Sequence, residues 1–332
     1  MKTAIVILNW NGKQLLEQFL PSIVNFSSQE ADVYVADNAS TDDSIEFIKQ
    51  NYPTVKIVQN TTNGGYAKGY NDALQHIKAD IYCLINSDIE VTKNWLTPIL
   101  EVFKNEKNTA IIQPKILDFK DKTKFEYAGA GGGFIDKFGY PFCRGRVFND
   151  LEADNGQFND VSEIFWASGA CFFIRSSVFH QLNGFDEDFF AHQEEIDLCW
   201  RAKNNNFDIK YVGNATVYHV GGATLSTLNP KKTYLNFRNS LLSLLKNLPT
   251  SKLFIIIFFR LVFDGLAGIK FLLEGKPNHT FAIIKAHFSF YVNLFKFLNK
   301  RKNTTKSNSY YKTPSVVWQY YALGRKKFED LK

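Results

Sequence analysis

Short apolar runs alternate with segments of helical spacing over the first 113 residues of the chain. The apolar runs predict buried strands at residues 3–8, 32–36, 55–58, 81–85 and 110–112. Between them, apolar residues recur every three or four positions, which predicts helices at 15–23, at 66–77, after a cap at Ser40, and after Thr92. This alternation predicts right-handed βαβ units and a parallel sheet with helices on both faces.

The pattern changes after Pro114. Residues 118–160 are rich in glycine, aspartate, lysine and phenylalanine, which predicts hairpins and loops. Further along, we expect a strand at 169–174, a helix at 194–205 and a strand at 215–219.

From residue 231 the chain is helical, basic and rich in phenylalanine and leucine. Its longest apolar run, 253–259, has seven residues and is followed by Arg260, Asp264 and Lys270. Because a spanning helix needs about 20 mostly apolar residues, we expect no simple transmembrane span here. A second segment, 281–298, mixes aromatic residues with lysines, which is typical both of helices in a membrane interface and of an ordinary helical bundle.

Charge is divided unevenly along the 332 residues, although the net charge is only +6. Residues 1–230 carry 20 basic and 29 acidic side chains, whereas residues 231–332 carry 19 basic and 4 acidic ones. Such an asymmetry indicates an anionic partner for the basic part, either nucleic acid or a membrane. The basic part has no zinc-finger or RNA-recognition signature, so we expect a membrane surface and no nucleic acid.

The cysteines and the amino terminus favour a cytosolic protein. Cys83, Cys143, Cys171 and Cys199 show no metal-binding or redox spacing, and a chain of this length does not need disulfides. The first apolar run, 4–8, is too short for a secretory signal and is typical of a first strand.

Polar clusters follow three of the predicted strands, where parallel sheets place their ligand sites. Asp37, after the second strand, can accept hydrogen bonds from a nucleobase or ribose. The segment 63–71 carries glycines before a helix, which allows a ligand to approach the backbone, although a plain turn has the same composition. Asp88 ends an Asn-Ser-Asp tripeptide that suits either a hard divalent cation or a simple turn.

A fourth cluster extends from Trp166 to His219. Glu194 and Glu195 begin a predicted helix, where they either favour the helix dipole or supply a general base. Asp197 and Arg201 lie four residues apart, which predicts a structural ion pair. His219 ends a strand, and that position favours a ligand role over a core role.

In this order, the motifs resemble those of the inverting family 2 glycosyltransferases with the GT-A fold, especially the rhamnosyltransferase-like branch that builds bacterial surface polysaccharides. The resemblance covers residues 5–222, about two-thirds of the chain. It is carried by VILNWNG at 6–12, VADNASTDDS at 35–44, NGGYAKGYN at 63–71, LINSDIEV at 84–91, SGACFFI at 168–174, GFDEDFF at 184–190, EEIDLCWR at 194–201 and HVGG at 219–222.

The resemblance implies a role for each matching residue. Glu195 would be the catalytic base, and Asp88 and His219 would bind a divalent metal, Mg²⁺ or Mn²⁺. The nucleotide and donor would be held by Asn9, Trp10, Asp37, Asn63, Asn71, Asn86 and Asp88. The acceptor site would be bordered by Trp166, Ser168, Gly169, Ala170 and Glu194.

Two positions depart from the family pattern. Asn86 stands at the first position of the DXD motif, where aspartate is usual, which removes one negative charge near the metal. Glu195 stands where aspartate is commoner, and its extra methylene displaces the acceptor by about 1 Å, enough to matter for the geometry of attack.

The resemblance also implies an architecture and an activity. We expect an α/β GT-A domain at 1–229, with a Rossmann-like, mostly parallel sheet flanked by helices. Its nucleotide-sugar half would be 1–113 and its acceptor half 114–229, and a helical extension would follow at 230–332. The activity would be metal-dependent, inverting transfer of a hexose or deoxyhexose from a nucleotide-diphosphate sugar to a glycan or lipid-linked acceptor. The enzyme would lie in the cytoplasm, peripherally at the inner face of the membrane.

Two other functions remain open from the sequence. A sugar nucleotidyltransferase has a related sheet, but it usually carries a basic glycine-rich loop near the amino terminus, which residues 9–12 do not form. A catalytically impaired scaffold is favoured only by Asn86, and Glu195 and His219 argue against it.

Overall fold

A computed structural model describes residues 1–221, 229–301 and 309–331. Gly222, the last residue of the HVGG motif, lies outside these ranges. The strands are β1 Thr3–Asn9, β2 Asp32–Asp37, β3 Lys56–Gln59, β4 Ile81–Asn86, β5 Ile89–Val91, β6 Thr109–Asp118, β7 Gly133–Ile135, β8 Pro141–Cys143, β9 Arg146–Val147, β10 Asp150–Leu151, β11 Val161–Glu163, β12 Cys171–Arg175 and β13 Asp208–His219. The α-helices are α1 Lys13–Ser27, α2 Ser44–Asn51, α3 Gly65–Leu74, α4 Thr97–Asn105, α5 Ser176–Gln181, α6 Glu194–Asn204, α7 Pro230–Asn247, α8 Thr250–Leu273, α9 Pro277–Val292, α10 Leu294–Asn299 and α11 Val316–Tyr321.

The large sheet has the strand order β11-β13-β6-β12-β4-β1-β2-β3, and β5 pairs with β13. Strands β1 to β4 are parallel wherever they pair, as the alternating pattern predicts. β12 is antiparallel to both of its neighbours, β4 and β6, while β13 is parallel to β6. The sheet is therefore mixed but mostly parallel, and helices flank it. The predicted α/β architecture is confirmed.

Parallel register places the ends of three strands at one edge of the sheet. Asn9 pairs with Asp37 at the ends of β1 and β2, and Leu8 pairs with Asn86 at the end of β4. Residues that are far apart in sequence therefore meet at the carboxyl ends of the strands, where a ligand site is expected.

The start of α2 differs from the prediction. The helix begins at Ser44, and its first N–H groups are served by Asp42, whose Oδ1 accepts the backbone N–H of Ser44 at 3.1 Å. Ser40 does not cap it, because its hydroxyl oxygen accepts the backbone N–H of Asn11 at 2.9 Å in the loop after β1. The short elements β5 and α5 were not predicted, since three to six residues are too few for a periodic signal.

The expected boundary between residues 113 and 114 falls inside β6, so the two predicted halves share a strand. The glycine-rich region beyond it forms the predicted hairpins. They build a second sheet of β7 to β10, and the carboxyl-terminal segment packs on it through Val316, which contacts the cluster around Phe142.

The carboxyl-terminal helices share a core with the sheet. α7 begins at Pro230, where the extension was expected to start, but Leu244, Leu248, Ile256 and Tyr310 belong to the same buried cluster as the residues of β4 and β12. The extension is thus packed on the domain that contains the large sheet. Across the ranges given above, every helix falls short of the length and apolarity that crossing a bilayer requires.

Candidate active site

The edge formed by β1 and β2 holds a buried amide and carboxylate. Asn9 donates from Nδ2 to Asp37 Oδ1 at 3.1 Å and to Ser40 Oγ at 3.2 Å, and the backbone N–H of Ser40 donates to Asp37 Oδ2 at 2.9 Å. Trp10 stands beside them with its side chain largely exposed. A side chain at position 12 would collide with Asn9, because a Cβ on Gly12 would lie 2.4 Å from Asn9 Oδ1. The edge thus presents an exposed indole, and the enclosed side chains of Asn9 and Asp37 lie directly behind it.

Asn63 and Asn71 have different positions, although one motif contains both. Asn63 Oδ1 accepts the side-chain N–H of Asn38 and the backbone N–H of Gly65, each at 3.0 Å, so it is fixed close to the end of β2. Asn71 exchanges hydrogen bonds with the backbone N–H and carbonyl of Phe185, both at 2.9 Å, and also donates to Glu187. Its amide therefore fastens α3 to the loop at 185–187, and the structure does not group it with Asn9 and Asp37.

Asp88 and His219 converge because β5 pairs with the end of β13. His219 Nε2 lies 3.2 Å from Asp88 Oδ1, and His219 Nδ1 lies 3.3 Å from Glu126 Oε1. Burial alone would lower the pKa of His219, but Asp88 and Glu126 raise it to about 10. Glu126 was missed by sequence reasoning, since it stands alone in a glycine-rich loop that matches no motif.

The pair of Asp88 and His219 fits a divalent cation that takes the place of the imidazole proton, because only neutral imidazole binds a metal. A carboxylate oxygen and an imidazole nitrogen face each other, and the second ring nitrogen faces a carboxylate, as is usual for a metal-bound histidine. Within the described ranges, no three His, Cys, Asp or Glu side chains form a complete metal cage. Mg²⁺ and similar cations commonly take their remaining ligands from water and substrate phosphates.

Glu195 lies at the start of α6, across from α3 and the loop before β12. A Cβ on Gly169 would lie 3.9 Å from Glu195 Cβ and 3.2 Å from Tyr66 Oη. Tyr66 donates its hydroxyl hydrogen to the Gly169 carbonyl at 2.7 Å. The structure thus places Glu195, Gly169 and Tyr66 close together.

Glu194 is buried and Glu195 is partly buried, and each retains a buried oxygen, Oε2, without a hydrogen-bond partner. Burial raises the pKa of Glu195 to about 7. Burial, together with the neighbouring charge of Glu195, raises the pKa of Glu194 well above its usual value. A carboxylate with a pKa near 7 is suited to accept a proton at neutral pH.

Two other residues of the expected acceptor border, Trp166 and Ser168, are buried and hydrogen-bonded within the protein. Trp166 is only 3 % exposed and donates from Nε1 to the Phe134 carbonyl at 2.9 Å, so its ring lies in the core and not at an opening. Ser168 is also buried, and its Oγ accepts the backbone N–H of Ala170 at 3.2 Å. The Ala170 carbonyl accepts the backbone N–H of Asn86 at 2.9 Å, which links this segment to the end of β4.

The predicted ion pair on α6 is present and belongs to a larger network. Arg201 Nε lies 2.7 Å from Asp197 Oδ2, and Lys246 Nζ of α7 lies 2.9 Å from the same oxygen. Burial alone would raise the pKa of Asp197, but Lys246 and Arg201 lower it to about 2. The network fixes the helix that carries Glu195 to the carboxyl-terminal extension.

Comparison with known protein sequences gives a consistent result. The sequence model of glycosyl transferase family 2 matches residues 4–182. The chain is 23% identical over 245 residues to the low-salt glycan biosynthesis hexosyltransferase Agl10 of Haloferax volcanii, covering 72% of this chain and 74% of that protein. It is 26% identical over 231 residues to the N-acetylglucosaminyl-diphospho-decaprenol L-rhamnosyltransferase of Mycobacterium tuberculosis, covering 65% of this chain and 75% of that protein.

Solved structures show the same fold. The S. aureus TarS fragment 1-349 in complex with UDP-GlcNAc has a TM-score of 0.55 and 17% identity, over 90% of this chain and 91% of that one. GalNAc-T7 with UDP, GalNAc and Mn²⁺ has a TM-score of 0.58 and 15% identity, over 76% of this chain and 49% of that one. Together with the sheet order, these likenesses establish a GT-A fold with a carboxyl-terminal helical region.

Proposed function

The chain belongs to glycosyl transferase family 2 and is a glycosyltransferase. From this we propose that it transfers a sugar with inversion of configuration at the anomeric carbon. The donor would be a nucleotide-diphosphate sugar and the acceptor a hydroxyl group. The observation that carries the proposal is Glu195, a partly buried side chain whose Oε2 is enclosed without a partner and whose pKa is about 7, next to Gly169 and Tyr66. A single base in this state is what direct displacement by a hydroxyl group requires.

The residues of the sheet edge would bind and orient the donor. Asp37 and Asn9 would contact the base or ribose, and Trp10 would lie against them. Asn63 and Asn86 would also contact the donor. Asn71 is not included, because both the oxygen and the nitrogen of its amide are hydrogen-bonded to the backbone of Phe185. Asp88 and His219 would hold a divalent metal ion, which would offset the negative charge that develops on the leaving diphosphate.

The displacement itself needs one proton transfer by the protein. The acceptor oxygen forms a bond to the anomeric carbon while the bond to the diphosphate oxygen breaks on the opposite face. Glu195 takes the hydroxyl proton as that bond forms, and the electron pair leaves with the diphosphate. Glu194 is held next to Glu195, and its raised pKa favours the neutral form, so it does not compete for the proton.

The acceptor is proposed from the relatives and from the chain's charge. The relatives are named for glycan biosynthesis and for rhamnosyl transfer to a diphospho-decaprenol sugar. A glycan or lipid-linked sugar acceptor, used in surface polysaccharide or glycoconjugate assembly, agrees with the strongly basic extension. All four cysteines are buried, unpaired thiols, which supports a place in the cytoplasm at the inner face of the membrane.

The test is a transfer assay with a panel of nucleotide-diphosphate sugars, with and without Mn²⁺. Release of nucleoside diphosphate identifies the donor, and NMR of the glycoside product gives its anomeric configuration. Inverted product that disappears in Glu195→Gln, while donor still binds, is the expected result. Retained configuration, or a wild-type rate in Glu195→Gln, contradicts the mechanism. Donor binding without turnover for any acceptor would instead favour the impaired scaffold.

A further inference from the structure

The outer face of helices α8 and α9 is apolar and open to solvent. Phe254 and Leu273, at the two ends of α8, are 86% and 83% exposed, and Phe288 of α9 is 71% exposed. Phe258 and Leu266 of α8 and Phe281 of α9 are also exposed by more than half. We call these six residues the apolar ridge. Surfaces of this kind mark sites that bind a protein, a ligand or a membrane.

The buried face of α8 contains a charged pair beside apolar residues such as Ile256. Arg260 and Asp264 are buried, and Arg260 Nε lies 2.7 Å from Asp264 Oδ1. Arg260 also donates to Ser240 Oγ at 2.8 Å, and Asp264 accepts the hydroxyl hydrogen of Tyr140 at 3.0 Å. Helices of water-soluble proteins usually expose their charges, whereas α8 buries Arg260 and Asp264 and leaves several large apolar side chains in solvent. Charges that face the protein interior while apolar residues face outward are typical of helices in contact with lipid.

Because Arg260 and Asp264 are buried, they do not place charge on the outer surface of α8. In the sequence, Arg260 and Asp264 interrupt a hydrophobic segment and argue against a simple transmembrane span. In the structure both point inward and are paired with each other, so the outer surface of α8 is uninterrupted at those positions.

The shape and charge of the region favour a lipid surface over a second copy of the chain. α8 has 24 residues and turns directly into α9, which begins at Pro277, so the two helices form a hairpin. Residues 250–300 carry seven lysines and arginines and two acidic residues. Arg260 is buried and paired with Asp264, and Lys296 and Lys300 pair with carboxylates of the loop at 186–188. At the turn from α8 to α9, however, Lys270 and Lys276 share the single carboxylate of Glu274. The positive surplus there would repel a second copy of the chain and attract anionic headgroups. No helix in the described ranges is able to cross the bilayer, so the hairpin would lie along the surface.

We propose that the apolar ridge inserts into the interfacial layer of a phospholipid membrane that contains anionic lipids. The inserted residues would be those of the outer face of α8 and α9, and the buried pair of Arg260 and Asp264 would stabilise the hairpin from within. This rests on the membrane association included in the proposed function, and it names the surface that makes the contact.

The test measures binding of the full chain to vesicles of phosphatidylcholine, with and without phosphatidylglycerol. The variant carries Phe254→Ser, Phe258→Ser and Phe288→Ser, and a matched control carries Phe26→Ser, Leu151→Ser and Val161→Ser at exposed positions outside the carboxyl-terminal region. Wild type and control are expected to sediment with the anionic vesicles, and the ridge variant is expected to bind them at least about tenfold more weakly. Circular dichroism and thermal melting verify that both variants fold.

Two results overturn the proposal. One is equal vesicle binding by the ridge variant and the wild type. The other is a wild type that stays in solution with vesicles but forms a dimer that the ridge variant loses in light scattering, which would make the ridge a self-association surface. Vesicle binding requires no turnover, and transfer to a water-soluble acceptor requires no membrane, so this proposal and the proposed activity can fail separately.

A second, independent observation concerns the loop that leads into Glu194. Asn239 of α7 is fully buried and donates from Nδ2 to the carbonyl oxygens of Phe189, Ala191 and His192 at 2.9, 2.9 and 2.7 Å. The loop has unfavourable backbone conformations, since Phe190, His192 and Gln193 have φ values of 64°, 68° and 73°. Non-glycine residues keep such conformations only where the surrounding structure holds them.

Taking Glu195 as the base, which rests on the proposed function, we infer that Asn239 is a positioning residue for it. Its amide holds three carbonyl groups of a strained backbone, and the loop ends one residue before the pair of glutamates. If the loop relaxed, α6 would begin differently, and the carboxylate of Glu195 would leave its place beside Gly169. The extension would thus contribute to the geometry of the active site without touching substrate.

The test compares Asn239→Ala and Asn239→Asp with Asn204→Ala, which removes a buried amide from the same contact between α6 and α7. Both Asn239 variants are expected to lose about tenfold or more in kcat per folded molecule, with a shifted pH profile and an unchanged KM for the donor. Asn204→Ala is expected to keep the wild-type kcat and profile. If the Asn239 variants lose thermal stability but retain the wild-type kcat and pH profile, Asn239 has only a structural role.

Discussion

Replacing Lys246 by methionine tests how firmly the extension is joined to the catalytic domain. Lys246 is buried, and its Nζ lies 2.9 Å from Asp197 Oδ2 and 2.7 Å from Asp186 Oδ2. Methionine keeps most of the side-chain volume but removes the charge. Asp197, which has no exposed surface, would then keep Arg201 as its cationic partner, and Asp186 would keep Lys300.

The magnitude follows from the burial of the carboxylates. Lys246 and Arg201 lower the pKa of Asp197 from its usual range to about 2, and a lowering of this size corresponds to about 2–3 kcal/mol of stabilisation by the charged partners. Removing one partner of a buried ion pair costs about 3–5 kcal/mol, because the remaining charge is left poorly solvated. Because Arg201 remains, we expect the lower end, about 3 kcal/mol lost from the free energy of unfolding.

The effect has a defined pH dependence. A carboxyl group whose pKa is lowered by folding stabilises the protein fully above its unfolded pKa, about 4, and loses that contribution as pH falls toward about 2. The difference between wild type and Lys246→Met is therefore expected to be largest near neutral pH and to narrow between about pH 4 and about pH 2.

Urea unfolding of the full chain at neutral pH and at points below pH 4 measures the loss in the free energy of unfolding and its change with pH. Lys68→Met is the matched control, because Lys68 forms an exposed ion pair with Asp72 at 2.9 Å and is expected to contribute less than about 1 kcal/mol. The reasoning is refuted if Lys246→Met costs no more than Lys68→Met, or if its cost does not change with pH.

Three further predictions concern the active site. Glu195→Gln is expected to lower kcat by about 10²–10⁴-fold. The wild-type kcat is expected to rise with pH through about 7, because only the ionised carboxylate accepts a proton. If kcat of the variant rises with pH in the same way, Glu195 is not the base. Asp88→Ala and His219→Ala are each expected to weaken Mn²⁺ binding, and Glu126→Gln is expected to weaken it about 10–100-fold. Calorimetry on the protein without donor measures the affinity. An affinity equal to that of the wild type in all three variants would show that the metal binds elsewhere. Gly12→Ala is expected to raise the Kd for the donor nucleotide in a fluorescence titration, since its Cβ would displace the Asn9 side chain, and unchanged binding would remove Asn9 from the nucleotide site.

The sequence specified the fold class through local patterns. The apolar runs that became β1 to β4 were found within about two residues of their ends, and the polar residues after them became the edge proposed to bind the donor. The pattern of apolar and polar residues along a strand or helix reflects which of its side chains are buried, so periodicity is enough to predict these elements. The ordered motifs added the family, which the family model confirms.

Several assignments within one motif could not be made from the sequence. Asn63 and Asn71 look equivalent there, but one lies near the end of β2 and the other fastens α3 to Phe185. Trp166 precedes the SGACFFI motif, and only packing shows that its indole is enclosed and bonded to the Phe134 carbonyl. A motif gives residue type and order, but the direction of each side chain depends on what packs against it.

Residue order alone was therefore enough to find the sheet, the helices of its first half, the family and a candidate for the base. The folded chain was needed to show which distant groups meet: Glu126 with His219, Asn239 with the loop before Glu194, and Lys246 with Asp197. It was also needed to show that Arg260 and Asp264 face inward and leave an apolar surface outside. The physical reason is that these arrangements depend on long-range packing and on burial of paired charges, which leave no periodic trace in the order of residues.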